Sequence, residues 1–121
     1  MTVESGFLGT SDPESVERII SGVQGVLREL KMLDEGPAPL AKAVYLDPAE
    51  VIASPETGIL YEHVERGQMV KKGAVLAHIT DFFGERIAEV LSPLDGVVLY
   101  IVATPPITKG QPIGCVGVPR T

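Results

Sequence analysis

The stretches SPETGIL, residues 54–60, and SPLDGVV, residues 92–98, are two copies of one pattern. In each copy Ser-Pro is followed by two variable residues, a glycine and the beginning of an apolar run. A Lys-Gly turn and a further apolar run come later in each copy, at residues 70–73 and 107–110. Because one such β unit cannot bury its own apolar face, two copies are expected to pair about a pseudo-twofold axis. The sequence therefore predicts an internal repeat in a domain of β-strands.

Short β runs, separated by turns rich in Gly and Pro, follow one another from residue 43 onward. Runs of this length and spacing are typical of a small sandwich or barrel. The predicted strands are 43–47, 49–53, 58–64, 74–80, 86–91, 96–103 and 112–118.

The residues before this region have a different pattern, which predicts one amphipathic helix. Ser11 or Asp12 can cap the helix, and Pro13 suits its first turn. Glu14 completes a capping box with Ser11. Apolar residues at spacings of three and four then form one stripe, which ends near Lys31. The stripe consists of Val16, Ile19, Ile20, Val23, Val26, Leu27 and Leu30.

Two glycines, Gly22 and Gly25, lie inside this predicted helix. Each is expected to cost about 1 kcal/mol relative to alanine, so a close approach by a neighbouring element is their expected use. The apolar stripe itself is expected to pack on the β domain, to pair with a second copy of the chain, or to fray.

The chain is predicted to divide into three segments. Residues 1–36 contain a strand end and the helix, residues 37–42 form a Pro-rich linker, and residues 43–121 form the β domain.

Composition excludes several classes of function. A chain of 121 residues with a net charge of −6 and only 10 Lys and Arg has no basic stripe for nucleic acid. No apolar run approaches the roughly 20 residues that a membrane span needs, and no signal peptide is expected. The cytoplasm is the expected location. The single cysteine, Cys115, excludes an internal disulfide and a cysteine-based zinc site, and we expect it to be a small buried strand residue.

The repeated Ser-Pro and Lys-Gly pattern resembles the barrel-sandwich hybrid of biotinyl and lipoyl carrier domains. In that family a lysine on the hairpin between the two halves carries the prosthetic group. The corresponding segment here is DFFGER, residues 81–86, where the lysine's place falls near Glu85 and the loop is about two residues longer. We therefore expect no biotin or lipoate. Lys71 and Lys72 lie in a different turn and are expected to be solvated.

The order of motifs along most of the chain resembles the C-terminal third of the succinylglutamate desuccinylase/aspartoacylase family, which are zinc-dependent amidohydrolases. The resembling residues are Thr2-Val3-Glu4-Ser5-Gly6, Gly25 to Leu33, Ala53 to Gly58, Asp81-Phe82-Phe83-Gly84 and Ser92-Pro93-Leu94-Asp95-Gly96. The resemblance implies that residues 1–36 are a remnant of the α/β catalytic domain and that the missing N-terminal domain is the chain's partner. The whole enzyme would act on N-acyl amino acids or similar amides, and the isolated chain would be inactive.

The resemblance also implies a zinc ion held by a His-x-x-Glu pair and a later histidine, which activates a water for attack on the amide. Glu4 matches the family's catalytic glutamate, the general acid/base. The zinc ligands are not expected in this chain. Three residues after His63 comes Arg66, and His78 with Asp81 would point to opposite faces of a strand. Each histidine is expected to be an outward or half-buried strand residue.

Phe82 and Phe83 are the candidate interface residues. If exposed on the hairpin they would form a docking patch, and otherwise they would fold into the mouth of the barrel. A homo-oligomer is one possible use of such a patch. The alternative to the enzyme is a non-catalytic barrel-sandwich module that acts as an adaptor. The sequence does not specify the substrate.

Overall fold

The computed structural model describes residues 5–6, 9, 11–34, 36 and 44–120. The chain divides into two compact units, residues 1–43 and 44–121. The described part of the first unit contains one helix, and the second contains two antiparallel sheets. The chain is therefore mainly β with one helix, as predicted. Within the described ranges, no helix is long and apolar enough to cross a membrane.

The predicted helix, α1, is confirmed and spans Pro13–Glu29. Asp12 is its N-cap, and the carboxylate of Asp12 accepts a 2.8 Å hydrogen bond from the backbone N–H of Ser15. This bond satisfies one of the N–H groups that a helix start leaves without a partner. Arg18 and Glu14 form an exposed ion pair of 2.7 Å along the first turns.

None of the residues of α1 is buried, and its apolar stripe is exposed at Val16, Ile20, Val23 and Val26. A Cβ added at Gly22 or Gly25 would meet no atom within 4 Å. The described residues therefore hold no element close to these glycines, and a close approach by another element stays a prediction.

The second unit consists of eight strands in two four-stranded antiparallel sheets. The strands are β1 Leu46–Ala53, β2 Gly58–Glu62, β3 Met69–Val70, β4 Val75–Thr80, β5 Arg86–Leu91, β6 Gly96–Ile101, β7 Pro106–Ile107 and β8 Pro112–Pro119. One sheet has the order β1-β8-β6-β3, and the other has the order β5-β4-β2-β7.

Most strand positions agree with the sequence, with two corrections. The runs 43–47 and 49–53 were predicted as separate strands, but the described residues form one strand, β1, with a register shift between Leu46 and Ala49. Pro48 lies inside that shift, where its missing N–H breaks the regular pairing. The two-residue strands β3 and β7 were not predicted, because two residues are too few to show an alternating pattern.

One apolar cluster, to which both sheets contribute, forms the core of the second unit. Its largest fully buried side chains are Leu76, Ile79, Ile113 and Val116. Cys115 is free and buried on β8, as predicted.

The two Ser-Pro turns have the same internal hydrogen bond. The hydroxyl of Ser54 donates to the carbonyl of Glu56 at 2.6 Å, and the hydroxyl of Ser92 donates to the carbonyl of Leu94 at 2.7 Å. Both serines are buried. Each turn leads directly into a strand, β2 or β6.

Each Ser-Pro turn is bonded to the Lys-Gly turn of the other copy. The N–H of Gly110 donates to the carbonyl of Ser54, and the N–H of Gly73 donates to the carbonyl of Ser92, both at 2.8 Å. Exposed ion pairs join the same turns. Lys109 lies 3.0 Å from Glu56, and Lys71 lies 3.3 Å from Asp95. The two copies are therefore hydrogen-bonded to each other through both Ser-Pro turns and both Lys-Gly turns.

Candidate functional site

The hairpin between β4 and β5 is shaped by Asp81. One carboxylate oxygen of Asp81 accepts hydrogen bonds from the backbone N–H of Phe83 at 2.9 Å and of Glu85 at 2.8 Å. The N–H of Asp81 donates to the carbonyl of Glu85 at 2.8 Å, which closes the loop. Gly84 has a φ of 92°, a conformation that glycine adopts without steric cost. The loop is held by its own hydrogen bonds rather than by contacts of the two phenylalanines.

Phe82 and Phe83 project from this hairpin, with exposed fractions of 74% and 98%. The possibility that they fold into the mouth of the barrel is therefore wrong for both. Exposed phenylalanine carries a hydration cost that a partner surface would relieve. A docking role stays a prediction.

The hairpin contains no lysine, and Glu85 is exposed near the place where a carrier domain would present one. Lys71 lies in the turn before β4, where its side chain is 86% exposed and paired with Asp95. The backbone N–H of Lys72 also donates to the carboxylate of Asp95, at 2.7 Å. These hydrogen bonds, first that of Lys72, hold the pKa of Asp95 below its usual range. Both lysines are therefore turn residues, as predicted.

Glu4, the candidate general acid/base, lies outside the described residues. Among the residues that the structure does describe, no group of three or more His, Cys, Asp or Glu could hold a metal ion. The described residues of this chain therefore do not fit the zinc centre that the family resemblance implies. The expectation that its ligands come from another domain stays a prediction.

The structure brings together two histidines that are 15 residues apart in the sequence. The imidazole Nε2 of His63 lies 2.8 Å from the Nδ1 of His78, within hydrogen-bonding distance. His78 is on β4 opposite Tyr61 of β2, and His63 follows the end of β2. Spacing along the chain relates each histidine to the residue three positions later, whereas this contact comes from the pairing of two strands.

The environment of His78 favours its neutral form. The partial burial of the ring, together with the charge of Arg86 and the proximity of His63, holds the pKa of His78 below its usual range, while Glu89 acts in the opposite direction. The ring of Tyr61 lies nearly parallel to that of His78, at 10°, with 4.9 Å between their centroids.

Several solved structures have a fold similar to that of this chain. The ectoine utilization protein EutE (DoeB) from Ruegeria pomeroyi is 26% identical, with a TM-score of 0.78, over 91% of this chain and 36% of its own. A succinylglutamate desuccinylase from Silicibacter sp. TM1040 is 22% identical, with a TM-score of 0.79, over 93% of this chain and 35% of its own. A succinylglutamate desuccinylase/aspartoacylase from Rhodobacter sphaeroides is 20% identical, with a TM-score of 0.78, over 93% of this chain and 38% of its own.

No protein-family model matches the sequence, and no curated protein matches it. The chain spans little more than a third of the length of the solved structures that it resembles. The fold of this chain is that of the C-terminal part of the succinylglutamate desuccinylase/aspartoacylase family proteins.

Proposed function

We propose that this chain is the C-terminal part of a cytoplasmic, zinc-dependent amidohydrolase that acts on N-acyl amino acids or similar amides. One observation carries the proposal: solved structures that include two named succinylglutamate desuccinylase or succinylglutamate desuccinylase/aspartoacylase match about nine-tenths of this chain but only about a third of their own length. The rest of the protein would supply the catalytic domain, the zinc and its ligands. Residues 1–36 would be the last strand end and helix of that domain.

The helix supports this division of the molecule. Its apolar stripe is exposed along its length, and exposed stripes of this kind normally pack on another element. In the proposed whole protein the sheet of the catalytic domain would cover the stripe. Burial of each such side chain contributes about 1.5 kcal/mol or more, so leaving the stripe in water is costly.

The β unit is proposed to be a barrel-sandwich hybrid with a pseudo-twofold axis between its halves. The reciprocal bonds support this arrangement, because Gly110 donates to Ser54 as Gly73 donates to Ser92. Without a lysine on the hairpin, this domain would be an accessory part of the enzyme rather than a carrier of biotin or lipoate.

The coding sequence upstream of codon 1 gives the first test. The proposal expects an in-frame stretch that encodes a His-x-x-Glu pair and a later histidine. A stop codon directly upstream, with translation beginning at Met1, would contradict it.

Activity of the intact protein gives the second test. We expect the intact protein to hydrolyse N-acyl amino acids and the 121-residue chain alone to be inactive. Glu4→Gln should lower kcat by about 100-fold or more, the usual contribution of a general acid/base. Glu17→Gln, on the exposed helix surface, is the matched control and should leave kcat unchanged. Hydrolysis by the chain alone, or full activity of Glu4→Gln, would refute the proposal.

A second candidate function is an adaptor module, and the hairpin is the observation that favours it. Phe82 and Phe83 are exposed on a loop that its own hydrogen bonds hold in shape. If they dock on a partner or on another copy, replacing both with serine in the intact protein should change its oligomeric state or activity. Tyr45→Ser, at a side chain that is 70% exposed in the same unit, is the control. Unchanged behaviour of the double variant would remove the docking role.

A further inference from the structure

The contact between His63 and His78 is fixed by the backbone of two paired strands. Tyr61 of β2 is opposite His78 of β4, and the N–H of His63 donates to the carbonyl of Leu76 at 2.8 Å. Both imidazoles therefore leave the same side of the sheet at neighbouring positions. Their proximity follows from strand register and does not depend on the chain being part of an enzyme.

The two imidazoles meet edge to edge. Their planes are 17° apart and their centroids are 4.9 Å apart, but Nε2 of His63 and Nδ1 of His78 are separated by only 2.8 Å. Rings stacked face to face would keep all atoms at van der Waals distance, about 3.5 Å or more. The contact is therefore an N–H···N hydrogen bond in which one nitrogen donates and the other supplies its lone pair.

We propose that His63 and His78 form a binding site for a divalent transition-metal ion, with Cu²⁺ the best-matched ion. The ion would take the place of the shared hydrogen, so that both lone pairs bind it, and the donating imidazole would carry its N–H on its other ring nitrogen instead. Imidazole nitrogen is a preferred ligand of Cu²⁺, Ni²⁺ and Zn²⁺.

The separation of the nitrogens favours a tetragonal ion over a tetrahedral one. Two nitrogen ligands that each lie about 2.0 Å from the ion are about 2.8 Å apart when the N–metal–N angle is a right angle. At the tetrahedral angle the same two nitrogens are about 3.3 Å apart. The observed 2.8 Å between His63 and His78 matches the first value. The rings would need to rotate about their Cβ–Cγ bonds to point at one ion, and this torsion has a broad energy minimum in histidine.

The surroundings of the pair hold charges of both signs. Glu89 of β5 is opposite His78, so a carboxylate is on the neighbouring strand, and Arg86 forms a 3.4 Å ion pair with it. The chain as a whole carries a charge of −6.

Binding should be modest, because the described residues contain no cluster of three or more metal-binding side chains. The two histidines would fill two positions and water would fill the others. Loss of a residue that only supports a metal ligand typically costs about 10- to 100-fold in affinity. Loss of either histidine should therefore weaken Cu²⁺ binding by at least about 10-fold.

Calorimetric titration of the 121-residue chain with CuCl₂ near neutral pH tests the proposal. We expect one Cu²⁺ per chain, an electron paramagnetic resonance spectrum of a tetragonal ion with two nitrogen ligands, and weaker binding of ZnCl₂. His63→Ala and His78→Ala should each lose at least 10-fold in affinity.

The matched control is Tyr61→Phe, which retains the ring next to His78 and removes only a hydroxyl. It should bind Cu²⁺ as the wild type does. Far-UV circular dichroism checks that each variant is folded. If folded His63→Ala and His78→Ala variants bind within 10-fold of the wild type, the bound ion is adventitious and the proposal is wrong. The result is independent of any hydrolytic activity.

Discussion

Gly58 and Gly96 occupy equivalent positions, the first residues of β2 and β6, and both are buried. A Cβ at Gly58 would overlap the carbonyl oxygen of Thr80, and a Cβ at Gly96 would overlap the carbonyl oxygen of Gly117. In both cases the obstacle is backbone of a neighbouring strand. Backbone of this kind cannot move aside as a flexible side chain can.

Gly58→Ala and Gly96→Ala are therefore both expected to be strongly destabilising. Each should lower the free energy of unfolding by about 2 kcal/mol or more, since overpacking costs 1–3 kcal/mol even against side chains. Urea unfolding measures the loss. Thr104→Ala, at an exposed loop position, is the control and should change stability by less than about 0.5 kcal/mol. A stable Gly58→Ala or Gly96→Ala protein would contradict the close strand approach.

Asp95 should make the stability of the β unit depend on pH. Its carboxylate accepts from the N–H of Lys72 and pairs with Lys71, and these contacts hold the pKa of Asp95 below its usual 3.8. The carboxylate is more acidic in the folded chain than in the unfolded one. Its contribution is therefore present above the unfolded pKa and is lost as pH falls through the folded pKa.

Asp95→Asn should reveal this dependence in urea unfolding. The wild type should be more stable than Asp95→Asn at about pH 6, and the difference should shrink as the pH is lowered below 3.8. Thr57 provides an uncharged comparison, because the hydroxyl of Thr57 accepts from the N–H of Lys109 at 2.9 Å. The loss caused by Thr57→Val should not change with pH. A constant difference between wild type and Asp95→Asn would disprove the ionic contribution.

At the scale of the element, the stability of α1 is limited by its length and by its two internal glycines. It has 17 residues, and isolated helices of about this length are only marginally stable in water. Gly22 and Gly25 have open space around them. Alanine can therefore be introduced at either position without a clash in this chain.

Gly22→Ala and Gly25→Ala should each increase the helix content of the chain. The expected gain is about 1 kcal/mol of helix stability per substitution, seen as a stronger helical signal in far-UV circular dichroism. Ser21→Ala, between the same turns, is the control and should have a smaller effect. A decrease in helicity would show that another element approaches the glycines closely in solution.

The elements also show which features could be predicted from sequence. The helix start and the beginnings of β2 and β6 depend on neighbours within a few residues, and the sequence predicts them, with the cap limited to Ser11 or Asp12. The exposure of Phe82 was left open by the sequence. The contact of His63 with His78 is different, because it depends on the register between β2 and β4. A shift of one residue would send the two side chains to opposite faces, and nothing local in the sequence specifies that register.

The extent of β1 was also not predictable from local pattern. Pro48 is unfavourable within a regular strand, and it lies between the two predicted strands 43–47 and 49–53. The pairing of β1 with β8 continues past the proline by means of a register shift. Long-range pairing in this case overrides the local preference.

At the scale of the whole molecule, all members of the apolar core belong to one unit. The core cluster extends from Leu60 to Val116, and the residues packed against it begin at Ile52. None of the residues in α1 is buried. Among the described residues, the burial that stabilises the sheets therefore comes from the compact unit 44–121.

We expect residues 44–121 to fold without the preceding segment. Truncation tolerance follows from the burial and hydrogen bonding of the part that is removed, and α1 has no buried residue that would be lost. The truncated chain should keep the urea midpoint of the full chain, with a difference in unfolding free energy below about 0.5 kcal/mol. Val116→Ala, introduced into both the full chain and the truncated chain, is the control. Shortening this fully buried side chain should lower the urea midpoints of the two proteins equally. If truncation alone destabilises the sheets by more than about 1 kcal/mol, the helix packs on the β unit in solution. Its apolar stripe would then not be available to a catalytic domain.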